Sequence, residues 1–231
     1  MTIYSDKHDI YEDHDDDSDV SEIDMAKIRL IMKLRGSVDA AVISAIERVS
    51  RDEFVDEVFA DKSYQDLALP ISGGQTISQP SVVARMTDAL QLDYRCKVLE
   101  VGTGSGYQAA ILSYLCRRVY TVERRPELTR LARARFERMG LHAITAKIGD
   151  GSFGWEEQAP FDRIIVTAAA EDVPMALVDQ LKHEGIMIIP VGDDISGQMV
   201  LRIEKESSGK INYKELFPVR FVHLLPGISG E

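Results

Sequence analysis

A short apolar run that ends in a glycine-rich loop, residues 98–106, constrains the fold of this chain more than any other segment. The run Lys97–Val101 predicts a strand, and Gly102, Gly104 and Gly106 then occupy every second position. Glycines permit a sharp turn and let a ligand approach the backbone, while the N–H groups of the following helix attract a carboxylate or phosphate. The segment therefore predicts a strand–loop–helix unit that binds a small cofactor.

The sequence after residue 97 predicts a doubly wound α/β fold, because segments with strand and helix patterns alternate there. The predicted strands are 97–101, 118–123, 143–148, 163–166 and 186–191, and the predicted helices are 107–115, 126–139 and 174–181. This alternation favours right-handed crossovers and a mostly parallel, Rossmann-like sheet with helices on both faces. Two more predicted strands, 198–204 and 211–224, flank a turn and are expected to add an antiparallel pair.

The residues before this core predict helices and a loop. Apolar side chains at helical spacing favour helices at 26–35 and 38–49, residues 71–79 form a predicted loop, and Pro80 suits the first turn of a helix that runs to residue 90. We expect one domain over residues 25–231. Its parts are the N-terminal helices and a lid loop at 25–90, the cofactor-binding core at 97–192 and the C-terminal strands at 193–231.

The net charge of −11 is concentrated at the N-terminus. Residues 1–24 hold ten Asp and Glu against the single basic residue Lys7, so the rest of the chain carries a net charge of only −2. We expect this acidic tail to be disordered and dispensable, with the natural domain starting at Met25. His8 and His14 are expected to be solvated there rather than to bind a metal. The near-neutral body lacks the basic surface that is typical of nucleic-acid binding.

The sequence also limits the compartment. No apolar run approaches the roughly 18 residues that a membrane span needs, and the acidic N-terminus is unlike a secretory signal. Cys96 and Cys116 have neither metal-ligand spacing nor disulfide density, which predicts buried, inert thiols in a reducing cytoplasm. The sequence leaves the oligomeric state open, and a monomer is compatible with it.

The spacing of the loop glycines bears on the identity of the cofactor. A dinucleotide site has the pattern Gly-x-Gly-x-x-Gly, whereas the third glycine here comes one position earlier and Glu100 precedes the loop. This Glu-x-Gly-x-Gly-x-Gly segment resembles the first motif of the S-adenosylmethionine-dependent methyltransferases. Glu123 ends the second predicted strand, where it would accept hydrogen bonds from a ribose diol. The alternative for Glu123 is a surface carboxylate paired with Arg124 or Arg125.

A third cofactor-binding segment is predicted at Asp150 and Gly151, which follow the third strand. Asp150 would accept a hydrogen bond from an adenine amino group, and Gly151 would expose its backbone to the ring. The alternative is an Asp-Gly turn that binds no ligand.

The sequence shows no obvious base for removing a proton from an acceptor. His142, His183 and His223 are each predicted to be structural, and residues 167–170 lack the Asn/Asp-Pro-Pro-aromatic turn that is common in enzymes that methylate amines. A carboxylate acceptor would explain this pattern, because with a pKa of about 4 it is ionised at neutral pH. The enzyme would then mainly hold the acceptor oxygen in line with an activated methyl group.

Four segments resemble the protein-L-isoaspartate O-methyltransferase family. They are residues 75–80, 149–152, 161–170 and 189–192, in the family's order, and the similarity extends over residues 25–225. The resemblance implies transfer of a methyl group from S-adenosyl-L-methionine to the α-carboxyl group of L-isoaspartyl residues in damaged peptides and proteins. The methyl ester then favours succinimide formation, from which some chains return to aspartate.

The resemblance also implies roles for individual residues. Ser78 is the candidate catalytic residue, which orients the acceptor carboxylate; its alternative role is to cap the helix that starts at Pro80. The candidate cofactor-binding residues are Thr76, Glu100, Gly102, Gly104, Gly106, Glu123, Asp150 and Gly151, and the candidate substrate-binding residues are Gln79, Phe221 and Val222. Two departures from the family pattern, Ser81 and His223, bear on substrate preference.

Three other functions stay open at this point: methylation of another carboxylate such as a small molecule, hydride transfer with NAD, and cofactor binding without catalysis. The glycine spacing and the lack of a base disfavour the oxidoreductase. The presence of Ser78 and of every cofactor position disfavours a protein without catalysis. The sequence does not decide whether D-aspartyl sites are methylated.

Overall fold

The structure, a computed structural model, describes residues 21–229. The helices in this range are α1 (Glu22–Leu34), α2 (Ala40–Arg48), α3 (Pro80–Ala89), α4 (Tyr107–Ser113), α5 (Pro126–Arg138) and α6 (Met175–Asp179). The strands are β1 (Leu69–Ile71), β2 (Gln75–Ile77), β3 (Lys97–Val101), β4 (Arg118–Glu123), β5 (Ile144–Ile148), β6 (Phe161–Val166), β7 (Leu181–Asp193), β8 (Gly197–Lys205) and β9 (Ile211–Val219). None of the helices between residues 21 and 229 has the length and apolar character needed to cross a membrane.

Seven strands form one sheet in the order β5-β4-β3-β6-β7-β8-β9. The pairs from β5 to β7 are parallel, whereas β7–β8 and β8–β9 are antiparallel. The winding direction reverses between the neighbours β3 and β6, and folds of this class bind ligands at the carboxyl ends of strands at such a point. The predicted doubly wound, mostly parallel sheet with N-terminal helices and an antiparallel C-terminal pair is confirmed.

The two central strands are buried on both faces. Val98 and Leu99 of β3 and Ile164 and Ile165 of β6 have no exposed surface, as expected for parallel strands that helices cover on both sides. Alternate side chains enter two apolar clusters, one shared with helices α1 to α5 and one shared with α6. These two clusters fix the carboxyl ends of β3 and β6 at one edge of the sheet.

Two predicted boundaries near the chain ends are wrong. Helix α1 begins at Glu22, before the predicted start at residue 26, because the Ser21 hydroxyl accepts a hydrogen bond from the Asp24 N–H (3.1 Å) and caps the helix. Residues 22–24 thus belong to α1 and Ser21 caps it, so these four residues are not part of a disordered tail. Residues 1–20 of the predicted tail lie outside the described residues. At the other end β9 stops at Val219 rather than at residue 224, and His223 instead forms an isolated bridge with Ala169.

The predicted loop at 71–79 contains a β-hairpin. Strands β1 and β2 pair antiparallel around a turn in which Gly73 and Gly74 have φ angles of 70° and 67°. Strand β7 also begins earlier than predicted, at Leu181, and α6 ends at Asp179. The extension of β7 follows from the pairing of Leu181 with Phe161 of β6, a long-range contact that the local sequence pattern does not encode.

Candidate active site

A cavity of about 290 Å³ lies at the carboxyl ends of the central strands. Four segments contribute most of its lining: residues 102–105 after β3, residues 122–125 at the end of β4, residues 75–78 in and just after the hairpin, and residues 222–225 near the C-terminus. Its volume is close to the lower end of the range for small-molecule sites, roughly 300–1,000 Å³. The predicted cofactor loop and the predicted lid loop therefore border one cavity.

The loop after β3 requires glycine at two positions. Gly102 has a φ of +98°, and a side chain there would collide with Oγ1 of Thr167, which donates to the Gly102 carbonyl (2.6 Å). Gly106 has a φ of +94°, and a Cβ atom there would lie 2.7 Å from Cε1 of Phe136. Gly102 and Gly104 line the cavity, whereas Gly106 begins α4 behind it. The loop backbone is thus exposed to a ligand at its first two glycines.

Glu123 ends β4 beside the glycine loop and is 6% exposed. Its Oε2 accepts a hydrogen bond from the Gly104 N–H (2.9 Å), and its Oε1 accepts one from the Arg125 N–H (2.9 Å). These partners are backbone amides, not the arginine side chains that the sequence left as an alternative. Each carboxylate oxygen keeps a second acceptor site, so Glu123 can still accept hydrogen bonds from two hydroxyl groups of a ribose.

Glu100 lies behind the cavity wall. Its side chain has no exposed surface, Thr121 Oγ1 donates to its Oε2 (2.5 Å), and its Oε1 has no hydrogen-bond partner among the described residues. Burial raises the pKa of Glu100 to about 8 against the opposing hydrogen bond from Thr121, and the nearby charge of Glu123 adds to the rise. The carboxyl group is therefore mostly protonated at neutral pH. Direct cofactor contact by Glu100 stays a prediction that this burial does not favour.

Gly151 lines the cavity, whereas its neighbour Asp150 does not. Asp150 Oδ1 accepts a hydrogen bond from the Ser152 N–H (2.9 Å), and Oδ2 accepts one from the Gly227 N–H (2.6 Å). Burial raises the pKa of Asp150, but these hydrogen bonds and the charge of Arg124 outweigh it, so the pKa lies below its ordinary value. The side chain thus forms an Asx-type turn, and its contact with adenine stays a prediction.

The Gly227 N–H that donates to Asp150 belongs to residues 225–229, which we call the C-terminal strap. Arg124 is among the residues that line the cavity; it donates from Nε to the Gly227 carbonyl (3.0 Å) and from Nη2 to the Pro226 carbonyl (3.1 Å). The Ser229 N–H donates to the Arg124 carbonyl (2.8 Å). The strap is therefore fastened to residues that directly adjoin Glu123 and Gly151.

Ser78 and Thr76 lie in the cavity wall, in and just after the hairpin. The capping alternative for Ser78 is wrong, because Gln79 is the N-cap residue of α3 and forms no side-chain cap hydrogen bond. The Ser81 N–H donates instead to Oδ1 of Asp66 (2.9 Å), and the Gln79 amide donates to the Ser81 hydroxyl (3.0 Å). The Ser78 hydroxyl forms no hydrogen bond with the described residues, so it is available to a ligand.

The backbone predicted to align a substrate peptide is already partly paired. The Gln198 side chain accepts from the Phe221 N–H (2.6 Å) and donates to the Phe221 carbonyl (3.1 Å). The Val222 carbonyl accepts from the Ala169 N–H (2.8 Å). Val222 lines the cavity but Phe221 does not. The structure therefore does not favour backbone pairing of a peptide with Phe221, while Val222 stays a candidate.

Among the cavity residues that were not predicted as site residues, His223 and Thr167 make specific side-chain contacts. His223 lines the cavity, and its Nε2 lies 3.1 Å from Oδ2 of Asp194; its structural role stays a prediction. The one signal at this position in the sequence was the departure from the family pattern. Thr167 braces the glycine loop, and a lone threonine after a strand carries no signal of that role. His142 is exposed and His183 contacts the Glu206 carbonyl at the surface, both outside the cavity wall.

Known proteins resemble this chain over most of its length. The chain is 54% identical over 222 residues to the protein-L-isoaspartate O-methyltransferase of Parvibaculum lavamentivorans, which covers 94% of this chain and 99% of the relative. A solved structure named protein-L-isoaspartate O-methyltransferase aligns with a TM-score of 0.78 and 28% identity over 85% of this chain, but over only 65% of its own length.

A second solved structure carries the same name, comes from Plasmodium falciparum and is in complex with S-adenosyl-L-homocysteine. It aligns with a TM-score of 0.73 and 27% identity, over 86% of this chain and 98% of its own. Residues 25–228, which include the hairpin, the glycine loop and most of the strap, match the family described as protein-L-isoaspartate(D-aspartate) O-methyltransferase. Because this match covers every segment that borders the cavity, the chain belongs to that family.

Proposed function

We propose that this protein methylates the α-carboxyl group of L-isoaspartyl residues in damaged peptides and proteins, using S-adenosyl-L-methionine. The observation that carries the proposal is the free Ser78 hydroxyl in the wall of the cavity that also contains the glycine loop. The family match and the S-adenosyl-L-homocysteine bound to the Plasmodium falciparum relative support it. The resulting ester favours succinimide formation and so begins repair.

The residues of the cavity fit this cofactor. Glu123 would accept hydrogen bonds from the ribose diol, the Gly102 and Gly104 backbone would approach the methionine part, and the Gly151 backbone would border the adenine. When bound, S-adenosyl-L-methionine supplies an electrophilic methyl group. The remaining contributions come from the chain itself, which binds and orients the reactants and excludes water from them.

The acceptor needs no base in this mechanism. A carboxylate with a pKa of about 4 is ionised at neutral pH, so no proton has to leave it before methylation. The Ser78 hydroxyl would donate to one carboxylate oxygen and thereby hold the other toward the methyl group. This role needs a hydroxyl without an internal partner, as found at Ser78 in the described part of the chain.

We further propose action in the cytoplasm on peptide substrates rather than nucleic acid. Cys96 and Cys116 are free and buried, as expected in a reducing compartment. Burial raises the pKa of Cys116 to about 12, which leaves it as an inert thiol. The chain beyond residue 24 is nearly neutral, so it lacks a strong attraction for phosphate backbones.

The test compares an isoaspartyl peptide with its ordinary aspartyl twin in a methyl-transfer assay. We expect the wild type to label only the isoaspartyl peptide. Ser78→Ala should lower kcat by about 10- to 100-fold, since a hydrogen bond to a charged group contributes about 1.5–3 kcal/mol, while calorimetry shows unchanged affinity for S-adenosyl-L-homocysteine. Ser113→Ala is the matched control, because its hydroxyl bonds only within α4, to the Ala110 carbonyl (2.7 Å).

Equal labelling of both peptides, or labelling of neither, would overturn the proposed function. Methylation of a small carboxylate in place of the peptide would support the alternative acceptor, and binding of NAD rather than S-adenosyl-L-methionine would support the oxidoreductase. Unchanged turnover of Ser78→Ala would remove Ser78 from the site while leaving the reaction in place.

A further inference from the structure

A carboxylate from a distant part of the chain occupies the start of helix α3. Pro80 is the first helical residue, and the N-cap residue Gln79 forms no side-chain cap hydrogen bond. Asp66, fifteen residues before Ser81, accepts the Ser81 N–H at its Oδ1 (2.9 Å). A negative charge at a helix N-terminus is favourable, so Asp66 caps α3 in place of a residue that is adjacent in sequence.

Lys33 of helix α1 neutralises this carboxylate. Its Nζ lies 2.6 Å from Oδ2 of Asp66, whose side chain is 13% exposed. Burial raises the pKa of Asp66, but hydrogen bonds from Lys33, from the Ser81 amide and hydroxyl and from Gln79 outweigh it and hold the pKa below its ordinary value. Asp66 is therefore ionised at neutral pH, and one cation and three neutral donors share its charge.

Arg51 fixes the loop that carries Asp66. Its guanidinium has no exposed surface; Nε donates to the Ser63 carbonyl (2.6 Å) and Nη2 to the Leu67 carbonyl (3.2 Å). These two carbonyls flank Asp66 on both sides. The guanidinium also lies 5.2 Å from the ring centre of Tyr107, which borders the cavity. Arg51 thus links the loop that carries Asp66 to a residue of the cavity wall.

Two consequences follow for an anionic acceptor at Ser78. The turn Ser78–Ser81 is held by Asp66 at its far end and by the hairpin at its near end, so loss of Asp66 would release Gln79 and Ser78 together. The charge of Asp66 would also repel the acceptor carboxylate if Lys33 did not neutralise it. We propose that Asp66 is a positioning residue for the acceptor and that Lys33 screens its charge from the acceptor carboxylate. This inference rests on the proposed function and deepens it.

The test uses full-length enzyme, an isoaspartyl peptide and three variants. Asp66→Ala should raise KM about tenfold, because the turn that carries Ser78 loses its anchor at the Ser81 N–H, with an unchanged Kd for S-adenosyl-L-homocysteine. Asp66→Asn keeps an acceptor oxygen for the Ser81 N–H and should recover most of that loss. Lys33→Met leaves a bare charge and should raise KM about threefold at about 0.01 M salt, and not at about 1 M salt, where the screening length falls to about 3 Å.

Asp39→Ala is the matched control, because Asp39 caps α2 through the Ala41 N–H (2.7 Å). It should lower the melting temperature about as much as Asp66→Ala while leaving KM unchanged. In the Asp66→Asn background, Lys33→Met should have no further effect on KM, since the charge that Lys33 screens is gone.

Three results would overturn the inference alone. The first is an unchanged KM in Asp66→Ala while the wild type is active. The second is an effect of Lys33→Met on KM that does not depend on salt. The third is an equal loss of peptide and cofactor affinity in Asp66→Ala, which would indicate that Asp66 is only a structural cap. A wild type that methylates no isoaspartyl peptide would overturn the proposed function and this inference with it.

Discussion

Replacing Glu100 with glutamine should remove a pH dependence from the stability of this protein. Glu100 is buried in the central strand β3, and its pKa is raised from 4.5 to about 8 by burial. Between these values the folded state holds a proton that the unfolded state has lost. Stability from this group is thus fully present below about pH 4.5 and falls as the pH rises toward 8. Glutamine keeps the carbonyl oxygen that accepts from Thr121 and does not titrate.

The magnitude follows from the pKa shift. A difference of about 3.5 pH units, at about 1.4 kcal/mol per unit, corresponds to about 5 kcal/mol over the full range. Between about pH 5.5 and pH 8, the wild type should lose about 3 kcal/mol of unfolding free energy relative to Glu100→Gln. This is a large part of the roughly 5–15 kcal/mol that stabilises a typical domain.

The assay is urea unfolding of the cofactor-free protein at a series of pH values, followed by the fluorescence of Trp155, the single tryptophan. Titration of all other groups is common to both proteins and cancels in the difference. Glu137→Gln is the matched control, because it makes the same replacement at a side chain that is exposed on α5 rather than buried. A difference between the wild type and Glu100→Gln that stays constant with pH would refute a raised pKa at Glu100.

Two further predictions concern the glycine loop and the C-terminal strap. Gly106→Ala should lower the unfolding free energy by about 2–4 kcal/mol, because φ is positive and the added Cβ would press on Phe136. Gly140→Ala is the control: its φ is also positive but nothing lies within 4 Å of the added Cβ, so it should show only the smaller backbone effect. Equal losses in urea unfolding would contradict a clash at Gly106. Arg124→Met should free the C-terminal strap and weaken S-adenosyl-L-homocysteine binding about threefold by calorimetry, unlike the exposed control Arg130→Met; an unchanged Kd would separate the strap from cofactor binding.

The central strands of the sheet could be predicted because the residues of each strand encode its conformation. Strands β3 and β4 have the predicted bounds, since a short apolar run stops at a glycine or at a charged turn in both cases. The glycines at 102 and 106 are likewise required by their own positive φ angles. The segments that were predicted correctly are those whose backbone conformation depends on their own residues.

The remainder of the site depended on contacts between distant residues. Asp66, not Ser78, caps α3 by accepting the N–H of Ser81, fifteen residues later in the chain. The Gln198 side chain likewise accepts the N–H of Phe221, twenty-three residues later. Neither pairing has a periodic or motif signature, because a single side chain can reach any nearby backbone group. The strap on Asp150 is a contact of the same kind, over seventy-seven positions.

The hydrogen bonds from the Gly104 and Arg125 N–H groups order the Glu123 side chain before a ligand binds. Its conformational entropy is therefore lost during folding and not during binding. Ordering a free glutamate side chain costs up to about 2 kcal/mol of rotamer freedom. For the ribose diol that we propose as the ligand of this carboxylate, the cost would be met during folding, and binding would not incur it again. Part of the cofactor affinity is therefore decided by how the chain folds, before any ligand arrives.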